Sequence, residues 1–279
     1  MLQALLADLR DRPSRTGALI ITLYGDALAS RGGSVWLGTL LEVFRAMGVG
    51  DGVVRTAVSR LATEGWLSRS RAGRNSFYRL DQAGRRESEA AALRIYGPLA
   101  PAWDGAFRLA LVEPAARGAF AGAGFGAVSP GVMLAAGGSD PPSPSSASSE
   151  TALLLTARAD LPTARRLAAR AWPLDQVAAR YQDFLARFPA DPGPLGDLEA
   201  LIARMLLIQE YRRIVLRDPH LPADLLPAAW PGAAARSLCA GLYAAMLPGS
   251  ERWLDEHGVC ETGPLPVADP ALRRCFVEN

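Results

Sequence analysis

Between Asp51 and Arg79 the chain places basic and hydroxyl side chains at spacings that suit nucleic-acid contacts. At 100° per residue, Arg55, Thr56, Ser59, Arg60 and Thr63 fall on one face of a helix over Asp51–Thr63, and Val54, Ala57, Val58 and Leu61 on the other. The polar face carries two guanidinium groups, three hydroxyls and no carboxylate. A guanidinium bridges guanine bidentately or holds a phosphate, and hydroxyls reach backbone oxygens or base edges. Just downstream, two β-prone runs flank Ala72-Gly73-Arg74-Asn75, the pattern of a hairpin. Arg69, Arg71, Arg74 and Asn75 crowd one strand and the tip, placed to touch phosphates or a minor groove. Arg60 lies toward the flank of its face and has a second reading, as a brace for the hairpin. The whole stretch also reads more plainly, as a small helical domain with a solvated basic hairpin.

Other chemistry is sparse. His220 and His257 are the only histidines, and Cys239, Cys260 and Cys275 lie far apart with no C-x-x-C, so neither a metal site nor a catalytic residue is expected. An odd number of scattered cysteines suits a reducing compartment. Gly122–Ala127 matches the G-x-G-x-x-G/A dinucleotide fingerprint, but Ser129-Pro130-Gly131 follows almost at once, no strand abuts it, and no acid stands about twenty residues on. It reads as a small-residue turn. Leu198–Leu216 is apolar nearly all round and must be buried, which makes Gln209, Glu210, Arg212 and Arg213 costly unless paired or bound. Two readings stand: an internal ion-pair set such as Glu210–Arg213, or an anionic effector held by Gln209, Arg212 and Arg213.

Elements that could position these groups follow from periodicity. Helices are expected over Ala18–Ala29, after an N-cap at Ser34, and over Asp51–Thr63 with Asp51 as its cap; a hairpin and a charged helix at Asp81–Ala92 complete the first domain, residues 1–97. Pro98 and Pro101 mark its end. Candidate strands Trp103–Val112, Val128–Ala135 and Leu153–Ala157, with a helix at Pro162–Arg170, suggest a small α+β domain over 98–173, interrupted by the Ser/Pro-rich loop 137–149. Helices Leu174–Phe188, Leu198–Leu216 and Ala233–Leu247 form a third, helical domain over 174–279, joined by the proline-spaced connector Arg217–Gly232.

Composition narrows the class. The 279 residues are 49% hydrophobic and 21% charged, an ordinary globular balance. No window offers about 18 consecutive apolar residues, and Met1–Arg15 lacks the apolar core of a secretory signal, so a cytoplasmic protein without a membrane span is expected. Every basic residue is arginine. The net charge is only +2, yet Gly50–Leu80 holds six arginines against two acids, a basic module on a neutral body.

These blocks in this order resemble the PaaX family of bacterial transcriptional repressors. The resemblance rests on Ile21–Asp26 with Arg31-Gly32-Gly33 and Val35–Gly38; on Val54–Ala62 with Gly65-Trp66-Leu67; on Gly73–Leu80; on Trp103-Asp104-Gly105; and on Leu216–Pro219, Leu225-Leu226-Pro227 and Trp230-Pro231-Gly232. It implies an α+β multidomain chain with an N-terminal winged helix-turn-helix, a central ferredoxin-like α+β domain and a C-terminal α-helical domain. It further implies a homodimer bound to a two-fold double-stranded DNA operator in the bacterial cytoplasm, associated with the nucleoid, with no cofactor. An aryl- or acyl-CoA effector, typically phenylacetyl-CoA, would release it. Two other classes are carried beside it: a nucleic-acid-binding adaptor without an effector, and a metal-dependent nuclease using Asp104.

Overall fold

The computed structural model describes residues 1–10, 16–137, 152–270 and 275–276. In chain order its elements are α1 (Leu2–Arg10), α2 (Thr16–Leu23), β1 (Ser34–Trp36), α3 (Leu37–Ala46), α4 (Asp51–Thr63), β2 (Leu67–Ala72), β3 (Asn75–Leu80) and α5 (Gln82–Tyr96). Then come β4 (Ala106–Leu111), α6 (Arg117–Gly122), β5 (Gly126–Ser129), β6 (Val132–Ala136), β7 (Leu153–Arg158) and α7 (Leu161–Ala171). The chain continues through α8 (Leu174–Arg187), α9 (Asp197–Val215), α10 (Gly232–His257), β8 (Val259–Cys260) and β9 (Gly263–Pro264). This is a mixed α+β chain with two compact units: Met1–Pro98 with Asp183–Leu216 and Ala233–Asn279, and Leu99–Gln182 with Arg217–Gly232. Where the sequence suggests three consecutive domains, the compact units interleave. The C-terminal helices belong with the first hundred residues, and the proline-spaced connector belongs with the centre.

The reason lies in α9. Every residue from Ala200 to Gln209 is buried, so this helix needs apolar neighbours on all sides, and α1, α2 and α5 supply them. The guanidinium of Arg204 is carried inside with it, at 0% exposure, and is met by carboxylates from two other segments: Asp26 at 2.8 Å from Nε and Glu251 at 2.6 Å from Nη1. Its Nη2 donates to the Asp26 carbonyl and the Tyr243 hydroxyl, and its face lies over the Tyr243 ring. Glu251 also binds Arg31, whose other nitrogen reaches Asp255. A buried charge is tolerated only when paired this thoroughly.

Four expectations about elements need correction. Ser34 does not cap a helix; it opens β1, opposite Arg79, and the α3 N-cap is Trp36. Three residues are too few to show the two-residue alternation of a strand. Asp51 is the first residue of α4 rather than its cap, which is Gly50, and its carboxylate pairs with Arg45 at 2.9 Å. The single strand expected over Val128–Ala135 is two, β5 and β6, turned at Pro130-Gly131. The last helix does not stop before Pro248 but runs on to His257. A proline removes one N–H from the ladder, but buried Leu242, Tyr243, Met246, Trp253 and Leu254 anchor the helix on both sides of it.

The second unit contains a four-stranded antiparallel sheet in the order β5-β6-β4-β7. Alternation along β4 divides its core. Phe107 joins Leu134, Ala164, Ala168 and Trp172 beneath α7, whereas Ala110 joins Met133, Ala135, Phe120 and Phe125 beside α6. The two helices therefore cover opposite faces. The Gly122–Ala127 run ends α6, turns at Gly124 (φ 88°) and enters β5. A Cβ on Gly126 would lie 2.5 Å from the Trp172 ring, so close packing accounts for that glycine. Of the Ser/Pro-rich loop 137–149, all but Gly137 lies outside the described residues.

Candidate nucleic-acid interface

The helix α4 forms because four apolar residues recur on one stripe. Val54, Ala57, Val58 and Leu61 are buried, against α2, α3 and β2, and Arg55, Thr56, Ser59, Arg60 and Thr63 are all exposed on the outer side. Thr56 and Thr63 donate their hydroxyls back to the carbonyls of Gly52 and Ser59, at 2.8 and 3.1 Å, leaving oxygen lone pairs outward. Arg60 stands 3.5 Å from Glu64 and has its Nη2 close to Gly17, where a Cβ would come within 3.1 Å. It bridges toward the start of α2 rather than toward the hairpin. An open groove bounded by Thr16, Gly52, Val53, Thr56 and Arg60 follows this side of the helix. Val53, half exposed in the first turn, is an apolar group on this surface that the polar-face argument overlooked; it suits a thymine methyl.

Strand β3 is central in the sheet β1-β3-β2, and pairing fixes which hairpin side chains share a face. Arg69 lies opposite Tyr78 and Arg71 opposite Ser76. The Arg69 guanidinium lies over the Tyr78 ring and donates to the Ser76 hydroxyl at 2.7 Å, which steers it along the strand. Arg71, Arg74 and Asn75 are exposed at the distal end, with Gly73 (φ 59°) making the turn. All eight residues expected to meet nucleic acid are thus on the surface, in two groups on adjoining elements.

The opposite face of the same sheet holds what sequence reasoning missed. Glu261, between β8 and β9, accepts hydrogen bonds from Ser34 of β1 (2.5 Å) and Ser70 of β2 (2.6 Å), and pairs with Arg79 of β3 (3.3 Å). One carboxylate ties all three strands. Burial pushes its pKa up, but these hydrogen bonds and the Arg79 charge outweigh that and hold it at about 2. No local signal announces a contact that spans 191 residues of chain.

The three residues proposed for an effector separate. Gln209 is buried and accepts from the Thr22 hydroxyl at 2.5 Å, and Arg212 donates to the same hydroxyl at 2.8 Å. Arg213 pairs instead with Glu210 at 3.3 Å, within reach of Arg187, which is the internal ion-pair reading. His220 sits in the connector at φ 55° with its N–H on Asp218, and His257 stacks on Trp253. Asp104 accepts the Ala106 N–H at 3.0 Å, a turn-holding role.

Comparison with known proteins decides the family. A family model described as PaaX-like protein matches residues 15–84, which contain α2 to β3 and the whole basic surface, and one described as PaaX-like protein C-terminal domain matches 172–256. The transcriptional repressor PaaX of Escherichia coli K12 is 38% identical over 278 residues, covering 90% of this chain and 86% of the relative. The chain belongs to the PaaX family. That relative is a transcriptional repressor, and the family is one of regulators rather than enzymes. A solved structure of an uncharacterized protein from Mycobacterium tuberculosis shares the fold, with TM-score 0.53 and 24% identity over 76% of this chain and 88% of that one. Among the described residues no helix is long and apolar enough to cross a membrane.

Proposed function

We propose that this PaaX-type protein is a transcriptional repressor that binds a double-stranded DNA operator through α4 and the β2–β3 hairpin. The observation that carries the reading is the carboxylate-free outer face of α4 beside the arginine-rich hairpin. The order helix, short strand, two helices and hairpin is that of a winged helix-turn-helix, in which the second helix of the pair enters the major groove. Arg55, Thr56, Ser59 and Arg60 then read or bracket base edges, and Arg69, Arg71, Arg74 and Asn75 hold the backbone or the minor groove. The strand order of the second unit matches a ferredoxin-like sheet, but α7 follows the fourth strand and α6 and α7 cover opposite faces, so the helix placement departs from that fold.

The family resemblance supports a cytoplasmic, nucleoid-associated homodimer on a two-fold operator. Half-sites would then lie about 34–36 Å apart or a multiple of that. The same resemblance supports release by an acyl-CoA such as phenylacetyl-CoA. Such a ligand acts only if it binds the released geometry more tightly than the DNA-bound one.

Fluorescence anisotropy on the DNA upstream of the protein's own gene, at fixed salt, tests the reading. Tight binding abolished by phenylacetyl-CoA, but not by free phenylacetate or CoA, is the expected result. Binding that ignores every thioester removes the effector and leaves an adaptor. Absence of sequence-specific binding to any operator overturns the repressor reading.

A further inference from the structure

The four-stranded sheet of the second unit has two unlike edges. One is β5, four residues long and bulged between Ala127 and Ser129, where the Val128 carbonyl accepts from Arg170 of α7 at 3.0 Å. Short length, a bulge and a cover keep a strand edge from pairing further. The other edge, β7, has none of these. Its six residues pair with β4 in unbroken register from Leu153 to Arg158, and no described residue pairs with its outer side. It holds no proline, and its only charge is Arg158 at the far end.

Apolar side chains gather along this bare edge. Leu153 and Leu155 are 66% and 51% exposed, with Leu154 and Leu111 also open to solvent. These are four of the eight large apolar side chains exposed among the described residues, a clustering that marks a contact surface rather than scattered surface leucines. Leu111 lies opposite Leu153, and Leu109 opposite Leu155, so Leu111, Leu153 and Leu155 share one face of the sheet and Leu154 the other. The helix α7 lies on that first face but packs toward β5. Residues 138–151, which precede β7, include no Val, Ile, Leu, Met or aromatic side chain to serve as a cover.

We propose that the β7 edge is where a second copy of this chain docks, the two β7 strands pairing antiparallel about a two-fold axis to join two sheets into one. The choice of a second copy rests on the homodimer read above from the family resemblance, and β7 itself suits it. Antiparallel self-pairing is an isologous contact that occupies the same edge on both copies, so it closes at two and leaves neither edge open. Centred on Leu154, it sets Leu153 of each copy against Leu155 of the other and keeps like faces together. The two Arg158 guanidinium groups then stand roughly 25 Å apart, whereas parallel pairing would set them side by side.

Sedimentation velocity on the full chain tests this. The wild type runs as a dimer. The variant L153E/L155E keeps the wild-type circular dichroism spectrum and raises the dimer dissociation constant tenfold or more, and L93E, at an exposed leucine of α5, leaves it unchanged. Mild oxidation with diamide links L154C into a covalent dimer more than it links wild type or L93C, a readout that needs no disruptive substitution. A wild-type dimer that L153E/L155E leaves intact and L154C does not cross-link overturns this surface while the homodimer stands. A monomeric wild type overturns both. Operator binding is read on the same samples, so a failure of the repressor reading is told apart from either.

Discussion

Replacing Glu261 by Gln removes a charge and keeps the shape, and the structure says what that charge does. A carboxyl whose pKa falls from an ordinary 4.5 to about 2 on folding stabilises the folded state by about 3 kcal/mol at neutral pH. Glu261 keeps 23% of its side chain open to solvent, and screening there lowers the figure to about 1–2 kcal/mol. Because the folded pKa is depressed, this stability is fully present above pH 4.5 and is lost as the pH falls toward about 2. E261Q resembles the protonated form, so the two proteins should differ by about 1–2 kcal/mol at pH 7 and converge in acid. In urea titrations followed by circular dichroism, the gap between their midpoints should narrow steadily from pH 5 to pH 2.5. A gap that stays constant across that range, or no gap at pH 7, would refute the assignment of this carboxylate as the tie across β1, β2 and β3. Since the tied sheet presents Arg69 and Arg71, E261Q should also weaken operator binding at pH 7.

Four further outcomes are expected. Arg74→Ala should lower the slope of log K against log salt by about 1.8 for a dimer, since each lost phosphate contact removes about 0.9. Anisotropy at 50 and 200 mM salt checks this, with a differential of roughly 12-fold; an unchanged slope places Arg74 off the backbone. Arg60→Ala should change the slope less, because Glu64 at 3.5 Å already offsets its charge. Arg55→Ala should cost about 1–3 kcal/mol on the operator and relax preference at one base position per half-site, read by binding to single-base operator variants; uniform weakening on all sequences would make Arg55 a phosphate contact. Arg204→Met strands the buried carboxylate of Asp26 and leaves Glu251 with Arg31 alone, and should destabilise the first unit by about 3–5 kcal/mol, measured as a shift of the urea midpoint. A loss under about 1 kcal/mol would mean that the network reorganises around the apolar side chain.

What could be read directly from the chain is what depends on near neighbours in it. The two faces of α4 follow from a 3.6-residue period, and the structure buries Val54, Ala57, Val58 and Leu61 as that period requires. The hairpin follows from β-prone runs about Gly73, and the Arg213–Glu210 pair from i,i+3 spacing. That α9 is buried all round was legible too, since no exposed face can be drawn on it. Which segments surround it was not, because apolar complementarity is non-directional and many partners would serve. Tertiary structure decided that Asp26 and Glu251 neutralise Arg204, that Glu261 crosses to β1, β2 and β3, and that Gln209 and Arg212 share Thr22. It also carried α10 through Pro248 and drew Ser34 into a strand of three residues. Hydrogen bonds and ion pairs reach only about 3–4 Å, so a group's partner is settled by where the backbone brings another group, and here that group often lies more than 170 residues away.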